Sequence, residues 1–150
     1  MNQVLLYELP TPSCDLEAFC YSNCILYDYQ RDDGKMIRTG IGFYLIADSR
    51  KRNTEVCDKW HIENYDTLVE IQGSPWIEEF RPKLTGRRSH WVIRHFKLYT
   101  HDACFEFLAA EWYLLPEFEG CWEDVFPDRT LFGPPEEKFL AYLQRKRESV

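Results

Sequence analysis

Two histidines and three carboxylates crowd residues 95–111: His95, His101, Asp102, Glu106 and Glu111. A histidine held by a carboxylate is the usual general-base arrangement, and two histidines with an acid can hold a metal ion. The candidate catalytic set is therefore His95, His101, Asp102 and Glu106. The plainer reading is a histidine making one hydrogen bond on a sheet surface, with Asp102 serving a turn through its side chain. No Gly-x-Ser-x-Gly elbow, P-loop or dinucleotide fingerprint accompanies these residues. No cofactor is expected on that ground. Cys104 follows His101 closely, but a Cys–His pair must meet in space, and no thiol nucleophile is assigned.

A second set is Cys20-x3-Cys24 with Cys57-x3-His61. Three thiolates and one imidazole suit tetrahedral zinc, although the spacing lacks the tighter Cys-x2-Cys knuckle. The alternative is that these cysteines are small buried hydrophobes, as free cysteine usually is. That alternative is preferred, and Cys20, Cys24, Cys57 and His61 are kept only as a possible metal set.

Charge is segregated along the chain. Arg81, Lys83, Arg87, Arg88, Arg94 and Lys97 occur between residues 81 and 97 with no acid among them, whereas residues 98–150 hold eleven acids against five bases. Cations interleaved with His90, Trp91 and Phe96 can grip phosphates and stack bases. The formal charge of −7 favours a solvated basic face over nucleic-acid binding. Later, Glu117, Glu119, Trp122, Glu123 and Asp124 mix carboxylates with rings. Such a surface complements a basic protein, with rings as anchors and charge steering encounter. Equally, the rings can cover a sheet while the acids solvate a loop.

The elements that must position these groups follow from periodicity and punctuation. His90–Tyr99 and Cys104–Trp112 read as two strands, the second alternating Phe105, Phe107 and Ala109 against Cys104, Glu106 and Leu108. The short break between them permits only an antiparallel hairpin. Gln3–Glu8, Ile25–Gln30, Met36–Ala47 and Trp60–Ile71 read as further strands, and Asp33-Gly34 as a hairpin turn. Gly40 and Gly42 mark a bulge or a close approach by another group. Asp48–Asp58 reads as a surface loop. Ser13 or Asp15 is a candidate cap for a helical turn reaching Cys20. Ser74-Pro75 is a helix start with serine as N-cap, giving a short helix over 75–81. Gly133-Pro134-Pro135 opens a C-terminal helix.

These elements predict an α+β fold: one domain over 1–150, a twisted antiparallel sheet of about six strands, and two helices packed on it. Strands followed by a terminal helix is similar in outline to pleckstrin-homology-like barrels, a likeness of element order that carries no residue across. No basic leader precedes an apolar core at the start of the sequence, and no window holds 18 uninterrupted apolar residues. Six cysteines without such a leader point to a reducing cytoplasm. The leading expectation is a non-enzymatic cytoplasmic interaction module, of an immunity or antitoxin kind, that binds a basic protein partner. The rival is a small metal-dependent or His/carboxylate enzyme built on the 95–106 hairpin. Nucleic-acid binding through residues 81–97 stands third.

Overall fold

The computed structural model describes residues 2–12, 18–21 and 23–119. In chain order the strands are β1 (Asn2–Glu8), β2 (Phe19–Tyr21), β3 (Cys24–Gln30), β4 (Met36–Tyr44), β5 (Asp48–Asn53), β6 (Thr67–Gln72), β7 (Arg94–Thr100), β8 (Ala103–Ala109), β9 (Glu111–Leu114) and β10 (Phe118–Glu119). Two short helices, α1 (Lys59–Ile62) and α2 (Pro75–Phe80), flank β6, and three brief 3-10 turns complete the described elements. The chain divides into two compact units. Unit 1 takes the residues up to Pro10 together with Phe43–Trp112; unit 2 takes Thr11–Gly42 and the chain from Tyr113 onward. The division falls inside β4 and again inside β9.

Unit 1 is built on an antiparallel sheet in the order β1-β6-β7-β8-β5. The expected hairpin is its centre. Thr100 pairs with Ala103 across the two-residue turn His101-Asp102, with His101 in the left-handed region at φ 52°. The half-buried alternation expected for β8 is absent, since all seven of its residues are buried, as are six of seven in β7. Both faces of this hairpin are covered, which changes the meaning of its polar residues. One face pairs Phe96 with Phe107 and Leu98 with Phe105. Phe43 stacks on Phe107 at 4.3 Å between ring centroids. Burying such side chains is worth about 1.5–3 kcal/mol each. The other face carries His95, Lys97, Glu106 and Cys104, all buried.

Unit 2 holds the second sheet, β10-β4-β3-β2, with β9 also paired to β4. The Asp33-Gly34 turn joins β3 to β4 as expected, with Gly34 at φ 84°. Gly40 and Gly42 do mark close approaches. A methyl on Gly40 would lie 2.5 Å from the Ile25 carbonyl oxygen, and the Tyr113 ring occupies the space a side chain at Gly42 would need. The Tyr113 hydroxyl accepts a hydrogen bond from Asn23 at 3.0 Å.

The α+β class holds in its coarse form, mostly antiparallel sheet with few helices, but several finer expectations are corrected. Two five-stranded sheets among the described residues replace one sheet of about six strands. The expected middle helix is α2, joined by the unexpected short α1; the segment from Gly133 lies outside the described residues, as do Ser13 and Asp15. Asp48–Asp58 is no loop: its first half is β5, an edge strand paired along its whole length to β8. Its Arg and Lys side chains give the edge a charge that discourages pairing with another chain. Trp60 lies in α1 rather than in a strand, and the strand starts at Thr67. No described helix is long and apolar enough to cross a membrane.

Candidate functional site

The polar face of the unit 1 hairpin is built by register. On β7 and β8, His95 opposes Leu108, Lys97 opposes Glu106 and Tyr99 opposes Cys104. On the edge strand, Arg50 opposes Glu106 and Arg52 opposes Cys104, so both arginines fall on this same face. Ile71 of β6 pairs with His95, which brings the junction after β6 alongside the histidine. That junction is Gly73-Ser74-Pro75. Gly73 takes φ 70°, which its lack of a side chain permits, and Ser74 caps α2 by accepting the Ile77 N–H at 3.4 Å.

Three side chains then form a continuous hydrogen-bonded chain. The Ser74 Oγ lies 2.7 Å from His95 Nδ1, and His95 Nε2 lies 2.8 Å from Glu106 Oε1. Each of the three residues is at most 4% exposed. A carboxylate can only accept, so His95 donates through Nε2–H. In the neutral imidazole Nδ1 then carries the lone pair, and the Ser74 hydroxyl donates to it. The bonds therefore run in one direction, from serine through imidazole to carboxylate. Trp76 meets the His95 ring edge-on at 5.1 Å, and Trp60 lies 6.1 Å away. These rings flank the imidazole.

The electrostatics around this chain are set by burial and neighbours. Burial alone would raise the Glu106 carboxyl, but the His95 hydrogen bond and nearby positive charge, Arg50 included, outweigh it and hold the group below its ordinary value. Burial lowers Lys97, whose ammonium donates to the Trp60 and Glu63 carbonyl oxygens at 2.7 and 2.9 Å. Burial, aided by the Glu106 charge, pushes the Cys104 thiol up to about 12, leaving no thiolate for nucleophilic work.

Ser74, His95 and Glu106 line a cavity of about 200 Å³ together with Arg50, Arg52, Trp60, His61, Trp76 and Glu79. The Arg50 guanidinium lies over the Trp76 ring at 3.7 Å. His61 accepts the Asp58 N–H on Nδ1 at 2.9 Å, which places its ring proton on Nε2. Compared with protein-family models, curated proteins and solved structures, the chain matches none.

Of the four candidate catalytic residues, His95 and Glu106 are joined, whereas His101 and Asp102 form the hairpin turn. The Asp102 carbonyl there accepts the Thr54 N–H at 2.9 Å. Ser74, read only as a helix cap, is the partner that sequence reasoning missed, and so were Arg50 and Arg52. The possible metal set divides: Cys20 and Cys24 belong to unit 2, Cys57 and His61 to unit 1. No group of three or more His, Cys, Asp or Glu side chains among the described residues is placed to hold a metal ion. In the basic segment, Arg94 is committed to Glu70 at 2.7 Å and Glu111 at 2.8 Å, and Lys97 is buried, which leaves Arg81, Lys83, Arg87 and Arg88 as exposed members. In the acidic segment, Glu117 accepts the Tyr29 hydroxyl at 2.8 Å, and Glu119 pairs with Arg31 at 2.9 Å and Lys35 at 3.7 Å. Trp122, Glu123 and Asp124 lie outside the described residues.

Proposed function

We propose that the protein is a small hydrolase that cleaves an ester by acyl transfer through Ser74. The observation that carries this reading is the directed Ser74–His95–Glu106 chain at the wall of a cavity. A serine hydroxyl is a weak nucleophile until a base takes its proton, and a base works best when a third group fixes its tautomer. Ser74 Oγ attacks the ester carbonyl carbon while its proton passes to His95 Nδ1, and the carbonyl π pair moves onto oxygen. When that pair returns, the bond to the leaving oxygen breaks and His95 gives it the proton. Water then attacks the acyl-serine, His95 takes and returns a proton, and the acid departs with Ser74 restored. Glu106 stays ionised throughout and stabilises the imidazolium formed at each step. The ring nitrogens stand in the reverse order from the usual serine triad, with Nδ1 toward serine, and the direction of proton flow is unchanged.

An alkyl fluorophosphonate tests this directly, since attack by Oγ forms an O–P bond and expels fluoride. Stoichiometric labelling mapped to Ser74, and lost in Ser74→Ala, is the expected result. A folded wild-type protein that takes no label at Ser74 would overturn it.

Binding of a basic protein through the acidic-aromatic segment is a second reading. What supports it is the exposure of Glu117 and Glu119, whose carboxylates face water in unit 2. Under it, Glu119→Gln weakens capture of a basic partner and leaves ester turnover alone.

A further inference from the structure

We infer that the substrate is a small ester carrying an oxyanion, a carboxylate or a phosphate-type group, which Arg50 and Arg52 hold at the β5 side of the cavity. The inference rests on the hydrolase reading for the ester and on β5 for the charge. Both arginines line the same cavity as Ser74. Two residues apart on one strand, they share a face, and neither is in an ion pair among the described residues. Arg50 is held by its contact with Trp76, which restrains the guanidinium while leaving its N–H edges to fork an oxyanion. Arg52 gives one N–H to the Val56 carbonyl at 3.3 Å and keeps the others. In the same wall, the indole N–H of Trp60 is buried with no acceptor among the described residues. Glu79 stands on the α2 wall, so a ligand anion is favoured at the β5 side. A volume of about 200 Å³ lies below the roughly 300 Å³ at which pockets for drug-sized ligands begin, which limits the substrate to little more than one ring or a short chain.

The test uses esters that differ only in charge: 4-acetoxybenzoate, 4-acetoxyphenylphosphonate and the neutral methyl 4-acetoxybenzoate. At least one anionic ester is expected to exceed the neutral one in kcat/KM by about 10-fold or more, the scale of a charge-assisted hydrogen bond. The faster anionic ester names carboxylate or phosphonate as the natural group. In Arg52→Gln and in Arg50→Gln/Arg52→Gln that ratio falls toward one, and in the wild type it shrinks as salt is added. Binding is read separately by calorimetry, with 4-hydroxybenzoate against 4-hydroxybenzamide. Equal turnover of charged and neutral esters, with Ser74 still labelled, would sink the inference and spare the hydrolase reading. No turnover and no label, with selective and arginine-dependent anion binding, would sink the hydrolase reading and leave an anion site. Neither turnover preference nor anion preference in binding ends the inference outright.

Discussion

Glu106 in unit 1 and Glu119 in unit 2 are each hydrogen-bonded to a basic side chain, yet their surroundings make them different chemical objects. The Glu106 side chain is 6% exposed and meets a histidine whose other nitrogen is already engaged by a serine. The Glu119 side chain is 45% exposed and shares Arg31 with Asp33 in a cluster open to solvent. Water screens and competes for the second, so its pairings contribute little to stability. In the first, a low local dielectric strengthens each bond and raises the cost of leaving any group unpaired. The lesson is that a carboxylate beside a basic group says little by itself. What covers it decides whether it can do chemistry.

The largest expected contrast comes from the same substitution at both positions. Glu106→Gln removes the charge that stabilises the imidazolium and lets His95 adopt either tautomer, so ester turnover is expected to fall about 10²–10⁴-fold. Glu119→Gln should leave turnover within assay error. Equal effects would break the contrast. A smaller one concerns buried against exposed cations. Lys97→Met strands the Trp60 and Glu63 carbonyl oxygens and is expected to destabilise the protein by about 1–3 kcal/mol in denaturant unfolding. Arg31→Met, at a solvent-open site, should move the midpoint barely at all. A stabilising Lys97→Met would mean that the desolvation burden on the ammonium exceeds the value of its hydrogen bonds.

The smallest contrast is in acid. Burial opposes but does not cancel the depression of Glu106, and Asp33 is depressed by its hydrogen bond from Arg31. A carboxyl lowered in the folded state adds stability above its unfolded value, near about 4, and loses it as pH falls through the folded value. Both units therefore weaken as pH drops below about 4. Hydrogen exchange resolved by unit separates them: 0.5 M salt is expected to erase the unit 2 share, where the charges are exposed, and to leave the unit 1 share standing.

The central hairpin, the Asp33-Gly34 turn, the Ser74-Pro75 helix start and the tight packing at Gly40 and Gly42 could all be read from residue type and spacing, because each is a local decision. The candidate pair His95 and Glu106 was legible for the same reason, since a hairpin fixes its own register. Ser74 was not, because only the pairing of Ile71 with His95 brings it to the imidazole, and no local pattern encodes that register. A strand followed by Gly-Ser-Pro and a helix was the available signal. Arg50 and Arg52 were hidden by their charge, since Asp48–Asn53 has the composition of a loop and becomes a strand only through its pairing with β8. The split into two sheets was illegible because β4 and β9 each carry residues of both units without a break in periodicity.

The order in which the chain visits its two units has a practical outcome. It starts in unit 1, passes to unit 2 at Thr11, returns at Phe43 and leaves again after Trp112. Any cut between Thr11 and Trp112 parts segments that one sheet needs together, so neither unit can be expressed as an uninterrupted fragment. During synthesis the first strand must wait for Thr67–Gln72 to emerge before it has a neighbour, and β4 waits for Phe118 to gain its outer one.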